Sequence, residues 1–209
     1  MLDNYVKLRP GHYFQMFRTG PGPSYNNDYI SYYNRIPGIA MSKLRYNRIK
    51  SVIGNFSSVC DFGYGNGDFL SYCTEQNHSC FGYDISKYPT PPGVQFVNSI
   101  DDVSVDLFTF FDSIEHIHNS DLVSFLLGIH TKYFCISLPH MHEEMGAEWF
   151  KTWKHRKPNE HFHHFDIHGL TKLLEDAGCD VLYVGNDEDE IRKPVDSLTN
   201  ILTVIAKKL

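Results

Sequence analysis

Residues 59–70 join an apolar run, Val59-Cys60, to three glycines at alternate positions, Gly63, Gly65 and Gly67, and return to apolar residues at helical spacing from Phe69. Few arrangements accommodate that string: a buried strand, a tight turn needing positive φ, and the first turn of a helix. Such a turn delivers free backbone N–H groups at a helix start and lets a ligand approach the chain closely, as a nucleotide-like cofactor requires. A second apolar run ends at Asp84, about 20 residues beyond the glycines, where a carboxylate accepts both hydroxyls of a ribose.

The spacing is not the G-x-G-x-x-G of dinucleotide-binding folds. Asp61 stands two residues before the first glycine, and the glycines follow as G-x-G-x-G. From about Ser57 to the C-terminus the chain resembles the class I S-adenosylmethionine-dependent methyltransferases, whose first motif is an acid followed by this glycine turn and whose second is an acid closing the next strand. The resemblance implies a cofactor held by Asp61, Gly63, Gly65, Gly67 and Asp84. Ser99, past the third strand, and Asp112, past the fourth, complete that set.

Short apolar runs at 58–62, 80–84, 95–98, 105–110 and 133–138 alternate with helical patterns at 68–76, 121–130 and 168–177, and an amphipathic helix over 40–53 leads into the first strand. This alternation predicts an α/β fold, a mostly parallel Rossmann-like sheet covered by helices on both faces. Two last runs, 180–185 and 198–206, flank a charged loop over 187–194. The resemblance makes them an antiparallel hairpin closing a seven-stranded sheet. Residues 1–37, dense in Tyr, Asn, Pro and Gly, stand apart as an arm before a methyltransferase domain over 38–209. The arm is expected to pack on the core or on a second copy in a homodimer, or to cover the cofactor through Tyr25, Tyr29, Tyr32 and Tyr33.

A formal charge of −6 over 209 residues argues against a broad basic face for nucleic acid. The five cysteines include no C-x-x-C pair and read as reduced core residues, which fits a cytoplasmic protein. No apolar run is long enough to cross a bilayer.

Beyond the fourth strand, Asp112, Glu115 and His116 are spaced i, i+3 and i+4, so a helical turn would set them on one side, a plausible site for Mg²⁺ or Mn²⁺. The Asp112/Glu115 spacing equally fits a helix capping box. The segment is similar to the acid-x-x-Glu-His stretch of the ubiquinone-pathway O-methyltransferases, their small-molecule relatives and the small-RNA 2′-O-methyltransferases. From the RNA enzymes the resemblance adds His163, within Glu160-His161-Phe162-His163-His164, as a further metal ligand, with His161 and His164 as alternative alignments. His140, after the fifth strand, has a pKa suited to a general base. Trp149, Phe150 and Trp153, amid lysines and arginines, are read as an acceptor-binding cap or as ordinary packing. The expected activity is methyl transfer to oxygen or nitrogen of a small-molecule or sugar-like acceptor. The alternatives are metal-assisted RNA 2′-O-methylation and a non-catalytic protein that binds the cofactor.

Overall fold

A computed structural model describes residues 4–24 and 38–209. The expected seven-stranded sheet is present in the order β5-β4-β3-β6-β7-β10-β9. It comprises β3 (Ser58–Phe62), β4 (Ser79–Tyr83), β5 (Val94–Phe96), β6 (Ser104–Phe111), β7 (His130–Pro139), β9 (Cys179–Gly185) and β10 (Ile201–Lys208). Strands β3 to β7 run parallel, and β10 lies antiparallel to both β7 and β9.

Successive strand residues face opposite ways, and the two faces have different cores. Cys60, Phe108, Phe134 and Ile136 pack on one side with Leu122 and Leu126 of α3 (Leu122–Gly128) and with Leu170, Leu173 and Leu174 of α5 (Ile167–Asp176). Val59, Leu107 and Cys135 pack on the other with Tyr46 and Ile49 of α1 (Gly38–Ile53) and Phe69, Leu70 and Cys73 of α2 (Asp68–Glu75). All five cysteines are buried and unpaired. Among the described residues, no helix is long and apolar enough to cross a membrane.

Two of the boundaries that differ from expectation have clear local causes. Helix α3 stops at Gly128, not 130, because Ile129 turns to extended backbone and His130 begins pairing with Ser104. Strand β10 begins at Ile201, not 198. Asp196 and Ser197 have positive φ, Val195 and Leu198 close a turn, and the Asp189 carboxylate accepts the N–H groups of both Asn200 and Ile201. The intervening charged loop contains the short helix α6 (Asp189–Arg192).

Part of the arm is regular structure. Strands β1 (Tyr5–Arg9) and β2 (His12–Gln15) form a hairpin turning at Gly11, φ +72°, and β2 pairs with β8 (His163–Phe165) in a second, three-stranded sheet. The expected roles of Tyr25, Tyr29, Tyr32 and Tyr33 lie outside the described residues. Beneath the hairpin, Tyr5, Met141 and Phe150 of α4 (Gly146–Thr152) form a small core flanked by Tyr13, Trp149 and Trp153.

Candidate functional site

In a parallel sheet the ligand crevice opens beyond the carboxyl ends of the strands. Here two adjoining cavities lie there, of about 360 and about 150 Å³. Gly63, Gly65 and Asp112 line both.

All three glycines of the turn have positive φ, but their reasons differ. A Cβ on Gly63 would sit 2.9 Å from Ser113 Cβ, and one on Gly67 2.4 Å from the Pro91 ring, so both permit close packing. A Cβ on Gly65 would meet nothing within 4 Å and would project into open space beside the cavities. Asp84 is buried; its Oδ2 accepts the Gly65 N–H at 3.1 Å and its Oδ1 the Ser86 N–H at 2.8 Å. Asp84 and the glycine turn are thereby fixed to each other, with Phe62, Tyr83, Ile85 and Tyr88 around them in the larger cavity. Asp61 lines the smaller cavity, buried, and its Oδ1 accepts the Thr109 hydroxyl at 2.7 Å. Burial pushes its carboxyl up to about 7, against the opposing influence of Thr109 and the Arg45 charge.

The end of β6 departs from the expected helical turn. Asp112 has φ +50°, and the 3₁₀ turn that follows spans only Ile114–His116. Asp112, Glu115 and His116 therefore do not share a face. The Asp112 carboxylate is held by Arg192, which donates to Oδ1 at 2.8 Å and also to Oδ2, with Arg45 Nη2 at 3.7 Å. Burial alone would raise its pKa, but the Arg192 and Arg45 guanidiniums hold it at about 2. Glu188 binds Arg45 through both oxygens at 2.6 and 3.0 Å, and Arg45 lies 4.0 Å over the Phe111 ring. A carboxylate so committed to arginines is a poor metal ligand, which corrects the expectation for Asp112 as one.

Glu115 is buried and neither carboxylate oxygen has a hydrogen-bond partner, which also removes the capping box. Burial first, and the Asp112 charge second, push its pKa well above the ordinary carboxylate range. Glu115, His116 and His161 each present one ligand atom, all within 4.8 Å of one another. Burial lowers His116 to about 4 and His161 well below the usual imidazole value, so both are neutral, the form a metal takes. The proposed fourth ligand, His163, is elsewhere: its Nδ1 pairs with His12 Nε2 at 2.8 Å and its Nε2 with the Asn119 carbonyl at 3.0 Å. Of the histidines in this segment, His161 is the one that stands beside Glu115 and His116, whereas His163 begins β8 and turns toward β2.

Two other expectations change, for His140 and Ser99, and a third is narrowed to one of its alternatives. His140 is buried and lines neither cavity; its Nδ1 lies 2.6 Å from the Thr199 hydroxyl, and burial, then His142, lower it to about 4. This is a packing position, not that of a base facing an acceptor. Ser99 also lines neither cavity and caps the 3₁₀ turn Ile100–Asp102, accepting the Asp101 N–H at 3.3 Å. For Trp149 and Trp153 the packing alternative holds: they lie beneath the hairpin and wall neither cavity. Conversely, Arg45, Thr109, Glu188 and Arg192 escaped the sequence reading, since an arginine inside a basic amphipathic helix or a charged loop reads as solvated. Arg18 and Phe162, which line the larger cavity, reach it only through the pairing of β2 with β8.

Comparison with curated protein sequences finds no match. The fold aligns over 98% of this chain and 99% of the 1,6-didemethyltoxoflavin-N1-methyltransferase of Burkholderia thailandensis, solved with 1,6-didemethyltoxoflavin and S-adenosylhomocysteine, at 14% identity and TM-score 0.58. An S-adenosylmethionine-dependent methyltransferase of Clostridium acetobutylicum aligns over 87% of this chain and 98% of its own, at 13% identity and TM-score 0.61. Human N-acetylserotonin methyltransferase, solved with S-adenosylmethionine, aligns over 80% of this chain and 51% of its own, at 13% identity and TM-score 0.59. A family model described as a methyltransferase domain matches residues 32–184, well over half of the chain. With the glycine turn, the acid beyond β4 and the seven-stranded order in place, the chain belongs to the methyltransferase domain family and is a class I S-adenosylmethionine-dependent methyltransferase.

Proposed function

We propose that the enzyme transfers the methyl group of S-adenosylmethionine to an oxygen or nitrogen of a small-molecule or sugar-like acceptor. The observation that carries the cofactor assignment is Asp84, a buried carboxylate tied to the Gly65 N–H at the mouth of the larger cavity. In this reading Asp84 accepts the ribose hydroxyls. Gly63 and Gly65 let the cofactor cross between the cavities, and the amino-acid end lies in the smaller one beside Asp61. Asp112, lining both cavities, borders the transferring methyl. In-line transfer needs positioning and exclusion of water more than acid–base chemistry, which suits a site where Asp112 is already paired with Arg192. The fold neighbour from Burkholderia thailandensis is a 1,6-didemethyltoxoflavin-N1-methyltransferase, which supports a small-molecule acceptor here rather than a polymer. The charge of −6 points the same way.

We further propose a divalent cation at Glu115, His116 and His161. The buried carboxylate without a partner fits it, since such a group is costly unless a cation or hydrogen bond compensates it. Two imidazoles with one carboxylate favour Mn²⁺ over Mg²⁺. A bound cation there would supply a fixed positive charge able to orient and acidify an acceptor hydroxyl. This feature keeps the likeness to the ubiquinone-pathway O-methyltransferase group and the RNA 2′-O-methylating reading in view.

Calorimetry tests the cofactor assignment. Asp84→Ala removes charge-assisted hydrogen bonds and is expected to weaken S-adenosylhomocysteine binding by roughly 1.5–3 kcal/mol, about tenfold or more. Unchanged affinity in the folded variant removes Asp84 from the site. Incubation of labelled cofactor with a small-molecule extract and with total RNA then decides the acceptor. Label confined to RNA, with binding that weakens steeply as salt rises, transfers the assignment to RNA methylation.

A further inference from the structure

Arg18 differs from the other arginines of the crevice. Arg45 and Arg192 are both paired with carboxylates, whereas Arg18 has no carboxylate of the described residues within 4.0 Å. It lines the larger cavity together with Phe162, His118, Tyr88 and Asn159.

Its placement is built. The residues on either side are pinned: the Asn4 side chain exchanges hydrogen bonds with the Phe17 backbone at 2.6 and 2.9 Å, and Asn159 Oδ1 accepts the Thr19 N–H at 2.8 Å. The guanidinium carbon lies 5.0 Å from the centroid of the Phe162 ring, and that ring stacks with His118 at 4.2 Å. Gly22 lets the chain close over the side chain, since a Cβ there would lie 2.5 Å from Arg18 Nη1. A cation held against an aromatic surface, with its donors unclaimed by any carboxylate of the described residues, is suited to bidentate recognition of an oxyanion. A protein of net charge −6 repels anions at long range, so an anion that binds here must be read by this local group.

Resting on the reading of this crevice as the methyl-transfer site, we propose that Arg18 selects an acceptor with a planar body and an oxyanion, the body against Phe162 and His118 and the carboxylate or phosphate on the guanidinium. The segment that leaves β2, through Arg18, then serves as part of the acceptor-recognition wall of the enzyme.

The test uses the full chain saturated with S-adenosylhomocysteine and three probes, benzoate, phenyl phosphate and neutral benzamide, followed by calorimetry. Benzoate or phenyl phosphate is expected to bind more tightly than benzamide, and whichever binds better identifies the oxyanion as carboxylate or phosphate. Arg18→Gln should weaken the anionic probe by about tenfold. Arg18→Lys should recover part of that loss, and benzamide and S-adenosylhomocysteine should be unaffected. Equal binding of anionic probes to wild type and Arg18→Gln overturns the proposal, as does failure of both anions to bind at millimolar concentration. A tenfold loss of S-adenosylhomocysteine affinity in Arg18→Gln overturns it too, assigning Arg18 to the cofactor. Failure of the wild type to bind S-adenosylhomocysteine instead removes the underlying reading of the crevice.

Discussion

The ends of β3 and β4 and the end of β6 share one edge of the sheet, yet their buried acids are treated in opposite ways. At the first, Asp84 accepts two backbone N–H groups and Asp61 accepts a hydroxyl. At the second, Asp112 is locked between two arginines while Glu115, three residues on, has no hydrogen bond to either oxygen. The first region is complete in itself and presents its remaining lone pairs to a ligand. The second contains a buried carboxyl whose oxygens the protein alone leaves without hydrogen bonds. A site that recognises a ligand by hydrogen bonds can be finished before the ligand arrives, whereas one built for a cation is finished by the cation.

The largest expected effects sharpen this contrast on the glycine side. Gly67→Ala forces a Cβ into the Pro91 ring at φ +75° and should destabilise the protein by about 2–5 kcal/mol, the sum of left-handed strain and overpacking. Gly65→Ala meets no atom within 4 Å, so its cost is the strain alone, about 1–2 kcal/mol. Its methyl should nevertheless reduce S-adenosylhomocysteine affinity tenfold or more. Denaturant midpoints and calorimetry on both variants check the pair. Equal loss of stability in the two would break the division between a packing glycine and a ligand-facing one.

A smaller effect, of opposite sign, is expected at the end of β6. Glu115→Met replaces an unpartnered buried carboxylate by an apolar chain of similar volume. In excess chelator it should therefore stabilise the protein by roughly 1–3 kcal/mol. Mn²⁺ should raise the denaturation midpoint of the wild type and leave that of Glu115→Met unchanged, because a ligand specific to the native state stabilises by mass action. A variant less stable than wild type in chelator would mean that Glu115 is already satisfied, and the contrast would fail.

The same contrast explains what was legible in the sequence. Gly63, Gly65, Gly67 and Asp84 announce themselves because backbone conformation and strand ends are local properties, and local properties leave a local pattern. The alternation of buried strands and helices was equally readable and pointed to a mostly parallel sheet, while the closing hairpin that makes it seven-stranded rested on the family resemblance. The environment of β6's end was not, since Asp112 is fixed by Arg192 from a loop 80 residues away and Glu115 faces His161 from the segment before β8. His140 illustrates the reverse error: its position after β7 suggested a base, and only the approach of Thr199 shows it buried. Pro10-Gly11 between two β-prone runs is a hairpin signal, obscured by the loop-like composition of residues around it. The partner of that hairpin, a three-residue strand rich in histidine, carries no strand signal of its own.

The smallest expected effect probes the completeness of the first region. Asp61 is raised by burial to about 7, and the Thr109 hydroxyl opposes that rise by donating to its Oδ1. Because the folded value exceeds the unfolded one, Asp61 contributes its stability at low pH and loses it as pH climbs from the ordinary carboxylate range through about 7. Thr109→Val removes the hydroxyl that favours the ionised form, so the folded pKa moves higher and the loss continues to higher pH. Below pH 6 both proteins hold Asp61 protonated, and their stabilities should run parallel. Between about pH 6 and 8 the curves should separate, reaching a difference of about 1 kcal/mol, the worth of one hydrogen bond. Denaturant titrations at half-unit pH steps resolve this. A difference that is constant from pH 5 to 8 would show that Thr109 acts only by packing, and that Asp61 is not held in the ionisable balance that its burial and its one hydroxyl partner create.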